Sequence, residues 1–266
     1  MPSHSTPDSR LPEKLEALYR RYNRRRYVRP DPLEFVWEYD APADREVTGL
    51  IASALAYGRV ATIKENVAKV LSILGDRPAE GLANARGGEL HRKLEGFRHR
   101  FASGAAVADL LEGAREMIRS AGSLHSAFLE GWSSEDADVL PALEKFCLRL
   151  VSQGKPGHLV PIPSRGSACK RMHLFLRWMV RRDAVDPGGW DAVSPASLLV
   201  PLDVHMHRIC TRLGLTARKT ADLRAAREVT AAFAQWIPDD PVRYDFVLTR
   251  FGIRGDMDLE GFLVLL

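Results

Sequence analysis

From Leu11 onward the apolar residues of this 266-residue chain return every three or four positions, and no stretch of convincing length alternates apolar with polar residues. That periodicity restricts the chain to a helical architecture. Leu11, Leu15, Leu18 and Tyr22 mark a first amphipathic helix, which the arginine cluster of residues 20–27 ends or extends. Asp31-Pro32-Leu33 reads as a helix start, with Asp31 as cap and Pro32 in the first turn. Asp44 opens a second start, followed by a long segment reaching Leu74. Residues 50–57 of that segment are apolar nearly all round, Gly58 breaks it, and Ile63, Val67, Val70, Leu71 and Leu74 resume helical spacing. Residues 76–140 read as shorter helical stretches with glycine breaks and offer no evident chemistry. Residues 139–151 predict another helix, and residues 154–167, with Pro156, Pro161 and Pro163, predict a loop. The expectation is an all-α protein, with a disordered polar terminus at residues 1–10 and a single helical domain over residues 11–266.

Composition excludes several function classes. Lys and Arg total 38 against 34 Asp and Glu, a net charge of +4 that does not by itself imply a nucleic-acid partner. The arginines are concentrated, however, in residues 20–27, at Arg181-Arg182 and beside Lys170-Arg171. A guanidinium fork suits phosphate, while a solvated basic face accounts equally well for the first cluster. Three cysteines, Cys147, Cys169 and Cys210, lie in separate segments, too few for a four-thiolate iron–sulfur cluster and without the spacing of a zinc knuckle. No apolar run approaches the roughly 20 residues of a membrane span, and residues 1–10 lack the character of a signal peptide. A cytoplasmic, reducing compartment is expected, with no metal and no cofactor.

Two short stretches carry the chemistry. Gly166-Ser167-Ala168-Cys169-Lys170 precedes a helix in which Lys170, His173, Arg177 and Arg181 share the one polar stripe. Pro201-Leu202-Asp203-Val204-His205-Met206-His207-Arg208 begins 33 residues after Lys170 if counted to Asp203, room for one helix, a loop and a second helix start. Partial burial and the cationic neighbours Arg165 and Arg171 would disfavour a charged ammonium at Lys170 and leave a nucleophilic amine. Asp203 reads as the N-cap of an apolar-periodic helix that Gly214 ends. His205 and His207, two apart, point to different faces and cannot chelate one metal. A surface charge at Lys170 and a plain cap at Asp203 explain both residues without any chemistry, and spacing alone does not separate the readings.

At these residues the chain resembles the helix-hairpin-helix DNA glycosylases. In that superfamily a glycine-rich hairpin ends in a lysine that begins a helix, and a later V-D-x-H-x-x-R-like segment supplies an aspartate. Here the hairpin-like element covers about residues 161–182 and the aspartate helix about residues 203–214. A third similarity is the buried L-I-A-x-x-L helix from Leu50, running into the turn at Tyr57-Gly58-Arg59. The spacer between lysine and aspartate looks most like the archaeal 8-oxoguanine glycosylases. The phrases Leu176-Arg177-Trp178-Met179-Val180-Arg181 and Asp240-Pro241-Val242-Arg243-Tyr244-Asp245-Phe246 are closer still to a bacterial conserved-hypothetical family, domain of unknown function 2400, which brings no activity. The usual L-P-G-x-G hairpin is replaced by Pro163-Ser164-Arg165-Gly166, with one glycine left.

The resemblance implies two intimate helical lobes around a cleft and a base-excision repair glycosylase with lyase activity, acting on an oxidised purine such as 8-oxoguanine. Lys170 would form a Schiff base with the sugar and Asp203 would stabilise the developing positive charge. Trp178 and Trp190 would stack on the flipped base, with Arg177 or His173 in polar contact; Tyr57 and Arg59 would fill the vacated space; Arg165, Gly166, Ser167, His205 and Arg208 would contact DNA. The implied partner is lesion-containing DNA, duplex or single-stranded, bound by a nucleoid-associated cytoplasmic monomer. The altered hairpin favours an alternative, a non-catalytic helical protein that binds damaged DNA or RNA.

Overall fold

The computed structural model describes residues 10–252, and within them the chain forms thirteen helices and one two-stranded ribbon. The terminus expected to be disordered thus lies, but for its last residue, outside the described residues. Helix α1 (Leu11–Tyr22) buries Leu11, Leu15 and Leu18, the expected stripe, and carries the first of the arginines, Arg20 and Arg21, in its last turn. The short α2 (Leu33–Val36) follows, with the Leu33 amide donating to Asp31 Oδ1 at 3.0 Å. Helix α3 (Pro42–Ala54) is buried along nearly its whole circumference. It begins at Pro42, two residues before the expected start, because Asp44 caps something else: its Oδ1 accepts from the Ala79 amide at 2.8 Å, in the first turn of α5 (Pro78–Asn84). Between them α4 (Val60–Leu74) runs from Arg59 to Gly75.

Residues 76–140 are more regular than their glycines suggest. Helix α6 (Glu89–Lys93) leads into a ribbon, β1 (Arg98–His99) paired antiparallel with β2 (Ala102–Ser103), and then into α7 (Gly104–Ala121), an 18-residue helix capped by Ser103 Oγ. The strands are two residues each, too short to leave a period in the sequence. Gly113 interrupts no helix; it serves close approach. A Cβ there would sit 2.1 Å from the carbonyl oxygen of Leu150, in the last turn of α9 (Leu140–Leu150), so α7 and α9 meet only because the position is bare. Helix α8 (Leu124–Leu129) packs beside them.

Helix α10 (Lys170–Val180) crosses α3, with Gly49 facing Met179 and Phe175. Helices α11 (Val204–Arg212), α12 (Leu223–Ala234) and α13 (Asp245–Thr249) complete the order, α13 touching both α1 and α11. The buried side chains form one contiguous core. Near its centre Glu46 on α3 takes hydrogen bonds from the Leu124 amide (2.8 Å) and Trp190 Nε1 (3.1 Å), tying three distant segments together.

Four carboxylates and two arginines weld α10 to residues 183–186 and 240–245. Arg177 bonds Asp186 (Nη2 to Oδ1, 3.1 Å) and Asp245; Arg181 bonds Asp186, Asp183 and Asp240, the last two at 2.9 Å. Arginines four apart on one helix thus meet aspartates five apart in the 240–245 segment. Arg181, grouped by sequence with phosphate-binding arginines, is instead a buried structural cation.

Candidate active site around Lys170 and Asp203

Lys170 is the first residue of α10 and Asp203 the N-cap of α11, so two helix starts converge. The residue before Lys170, Cys169, takes a left-handed φ of 46°, and Gly166 takes 78°, so the chain doubles back and enters α10 with the lysine at its mouth. The two carboxylate oxygens of Asp203 divide their work. Oδ1 accepts from the Met206 amide at 2.8 Å, the capping bond expected from sequence, while Oδ2 faces Lys170 Nζ at 3.6 Å. Lys170 Nζ also donates to the Ala56 carbonyl oxygen at 3.2 Å, at the break between α3 and α4. Both side chains keep partial access to solvent. The cap role and the pairing therefore hold together, since one oxygen fixes the carboxylate while the other is presented to the amine.

The pair stands at the edge of a cavity of about 260 Å³ lined by Asp31, Tyr57, Ile63, Leu174, Arg177, His205, Asp245, Thr249 and Arg250. Its floor is charged but internally paired. Arg250 Nη2 bonds Asp31 Oδ2 at 2.5 Å, and Arg177 holds Asp245. Burial works against the charge of Arg177, but the carboxylates of Asp186 and Asp245 more than offset it and leave the guanidinium more basic than usual. Asp245 Oδ1 and the Nε and Nη1 of Arg250 have no hydrogen-bond partner. Arg208 Nη2 reaches His205 Nδ1 at 3.4 Å and places that ring on the cavity wall. Among the described residues no cluster of His, Cys, Asp and Glu has the arrangement of a metal site, and no helix is long and apolar enough to cross a membrane.

A wider groove of about 770 Å³ runs past the pair, bounded by Tyr57, Arg100, Phe101, His158, Gly166, Ser167, Arg171, Val204 and His205. Tyr57 is held in place: its hydroxyl donates to the His99 carbonyl at 2.9 Å and meets His158 Nε2 at 2.9 Å, with the Arg171 guanidinium 5.0 Å above its ring. Arg59 is exposed at the start of α4, beside His99 and Arg100. Arg165 and Ser167 are exposed on the turn, with Ser167 Oγ accepting from the Cys169 amide at 3.2 Å.

Three expected base contacts are not where the sequence suggested. Trp178 and Trp190 are fully buried in the core; Trp190 stacks on His125 at 5.1 Å and packs edge-on against Phe175. Neither indole can reach a base. His173 is buried, touches no polar group through either ring nitrogen, and has its pKa pushed down to about 4 by burial. It lies in the core and outside the cavity. His173 and Trp178 lie on α10, and Trp190 follows Gly188-Gly189 in a loop. Arg177 does reach the cavity, but as a floor residue committed to Asp186 and Asp245.

Conversely, Asp31, Asp245, Arg250 and the pair Arg100-Phe101 were missed as site residues. Asp245 lay in view, within the quoted 240–246 phrase; Arg100 and Phe101 belong to a ribbon without periodicity.

No curated protein and no solved structure matches the chain. The pattern of one family does, over residues 31–254, which takes in every element from α2 to α13. The chain belongs to the family described as protein of unknown function (DUF2400).

Proposed function

We propose that this protein is a DNA N-glycosylase with abasic-site lyase activity, acting on an oxidised purine such as 8-oxoguanine, on a helix-hairpin-helix glycosylase-like fold. The observation that carries the reading is the 3.6 Å pairing of Lys170 Nζ with Asp203 Oδ2 at the mouth of a cavity of about 260 Å³. A base chemically altered within a duplex must leave the stack, at a cost of a few kcal/mol, to reach such a pocket.

The chemistry then runs through the two side chains. Asp203 Oδ2 takes a proton from the Lys170 ammonium, and the amine nitrogen attacks C1′ of the sugar. The C1′–N9 bond breaks and its electron pair leaves with the base, which takes up a proton. Attack leaves Nζ as a secondary ammonium; loss of one of its protons to the departing base frees a lone pair, which opens the sugar ring at C1′–O4′, O4′ taking up a proton, and forms a protonated imine. Loss of a C2′ proton expels the 3′ phosphate and cuts the strand. Every electron pair is accounted for without an external oxidant or reductant. Asp203 serves a second purpose, because its fixed carboxylate lies where positive charge develops on the sugar. Strand cleavage of an 8-oxoguanine duplex, separated on a denaturing gel, tests the reading: Lys170→Gln should abolish it, and a Lys170→Gln enzyme that still cuts would refute it.

A second reading, a helical protein that binds damaged DNA or RNA without cutting it, has one observation in its favour. At the hairpin-like turn the Ser164 amide and hydroxyl are both spent on Glu144, at 2.9 and 2.7 Å, and the Gly166 amide on Pro163 O. Those donors are not free for a phosphate.

A further inference from the structure

Phe101 is 78% exposed and Val204 is 79% exposed. Among the described residues only one other large hydrophobic side chain, Leu148, is comparably open, and it lies on α9. Two of these three therefore border the same groove that contains Lys170 and Asp203. A single exposed hydrophobic residue needs no explanation, but Phe101 is also held out by its mount. It follows Arg100, whose φ of 53° makes the tight turn of the β1–β2 ribbon. Behind the tip His99 is fully buried and fixed on both ring nitrogens, by Asn66 Nδ2 at 3.0 Å and the Tyr57 carbonyl at 3.1 Å. The Arg100 side chain lies against Gly58, where a Cβ would come within 2.8 Å of it. The ribbon is thus pinned to the α3–α4 turn that also receives Lys170.

A rigid two-residue ribbon that holds an aromatic ring in water beside a candidate sugar-attacking amine fits one task. We infer that Phe101 is a wedge that enters a duplex at the target position and occupies the stacking space of the extruded nucleotide, with Arg100 at the adjoining phosphate. The inference rests on the glycosylase reading and deepens it. It also replaces Tyr57 as the side chain for that role, since the Tyr57 ring is enclosed by His99, His158 and Arg171. Apolar wedges between base steps offset the loss of stacking in duplex-deforming proteins, and an aromatic ring under a base contributes enough that removing it weakens such contacts roughly tenfold to a hundredfold.

The test compares borohydride-trapped adduct formation by the wild type, Phe101→Ala and Phe101→Trp on an 8-oxoguanine duplex and on the same lesion strand alone. A 2-aminopurine beside the lesion reports unstacking by its fluorescence. Phe101→Ala should slow trapping on the duplex roughly tenfold to a hundredfold and lose the fluorescence rise, while the single strand, already unstacked, reacts within about twofold of wild type; Phe101→Trp should restore the duplex rate. Equal duplex rates for wild type and Phe101→Ala would overturn the wedge and leave the glycosylase standing. An equal loss on both substrates would also overturn it. A wild type that forms no adduct on either strand would overturn the glycosylase reading, and the wedge with it.

Discussion

Replacing Arg177 by Met tests how the cavity floor is built. Arg177 and its partners Asp186 and Asp245 are all at most 2% exposed. The substitution keeps the aliphatic stem but removes the guanidinium, and with it the approach of Cζ to within 5.9 Å of the Phe246 ring centre. Asp186 retains Arg181, whereas Asp245 is left with no partner on either oxygen, since Oδ1 already has none. Breaking a buried pair from one side costs about 3–5 kcal/mol. At roughly 2–4 °C per kcal/mol for a chain of this size, Tm should fall by roughly 6–20 °C. The loss should also depend on pH in a specified sense. Burial already holds the Asp245 carboxyl above its usual range despite Arg177, and removing Arg177 raises it further. A raised carboxyl destabilises the fold when ionised, so the deficit of the variant relative to wild type should shrink as pH falls. Adding Asp245→Asn should recover part of the loss, with a coupling of about 1–3 kcal/mol. Thermal and urea unfolding followed by circular dichroism measure all four corners of the cycle. A loss under about 1 kcal/mol, or strict additivity of the two substitutions, would refute the argument that these charges depend on each other.

Trp190→Ala should cost about 3–5 kcal/mol, because it opens a cavity among Phe128, Phe146 and Phe175 and strips Glu46 of a donor; a folded variant of unchanged stability, measured by urea unfolding, would contradict the placement. His173 is buried neutral with a pKa near 4, so between its unfolded value of about 6.5 and about 4 the unfolded chain gains a proton that the native one does not, and stability should fall by roughly 3 kcal/mol as pH drops through that window. His173→Leu should flatten that part of the pH dependence, and an unchanged slope would place the titration elsewhere. Gly113→Ala should destabilise by more than about 2 kcal/mol in a melting experiment, since the carbonyl of Leu150 cannot retreat without moving α9; wild-type stability would show that the helices can part.

The helices were largely legible because their stripes obey one period: Leu11, Leu15 and Leu18 are buried as their spacing requires, and Gly58 breaks the chain between α3 and α4 at φ 100°. Asp203 was legible twice over, since its cap bond and its approach to Lys170 use different oxygens. The polar stripe of α10 misled. Spacing puts His173, Arg177 and Arg181 on one face with Lys170, but it does not say what covers that face: Asp186, Asp240 and Asp245 from later in the chain cover the two arginines, and His173 is buried without a polar partner. Aromatic residues likewise carry no mark of whether they serve the core or a ligand, which is why Trp178 and Trp190 were taken for stackers while Phe101, on a ribbon too short to have a period, passed unnoticed.

The most direct test of the central claim is borohydride trapping of the purified wild type, Lys170→Gln and Asp203→Asn on oligonucleotides bearing 8-oxoguanine or an abasic site, with mass spectrometry to locate the adduct. The wild type should give a covalent adduct on the Lys170 peptide, Lys170→Gln none, and Asp203→Asn a strongly slowed reaction. No adduct on any substrate, or an adduct on a residue other than Lys170, would contradict it.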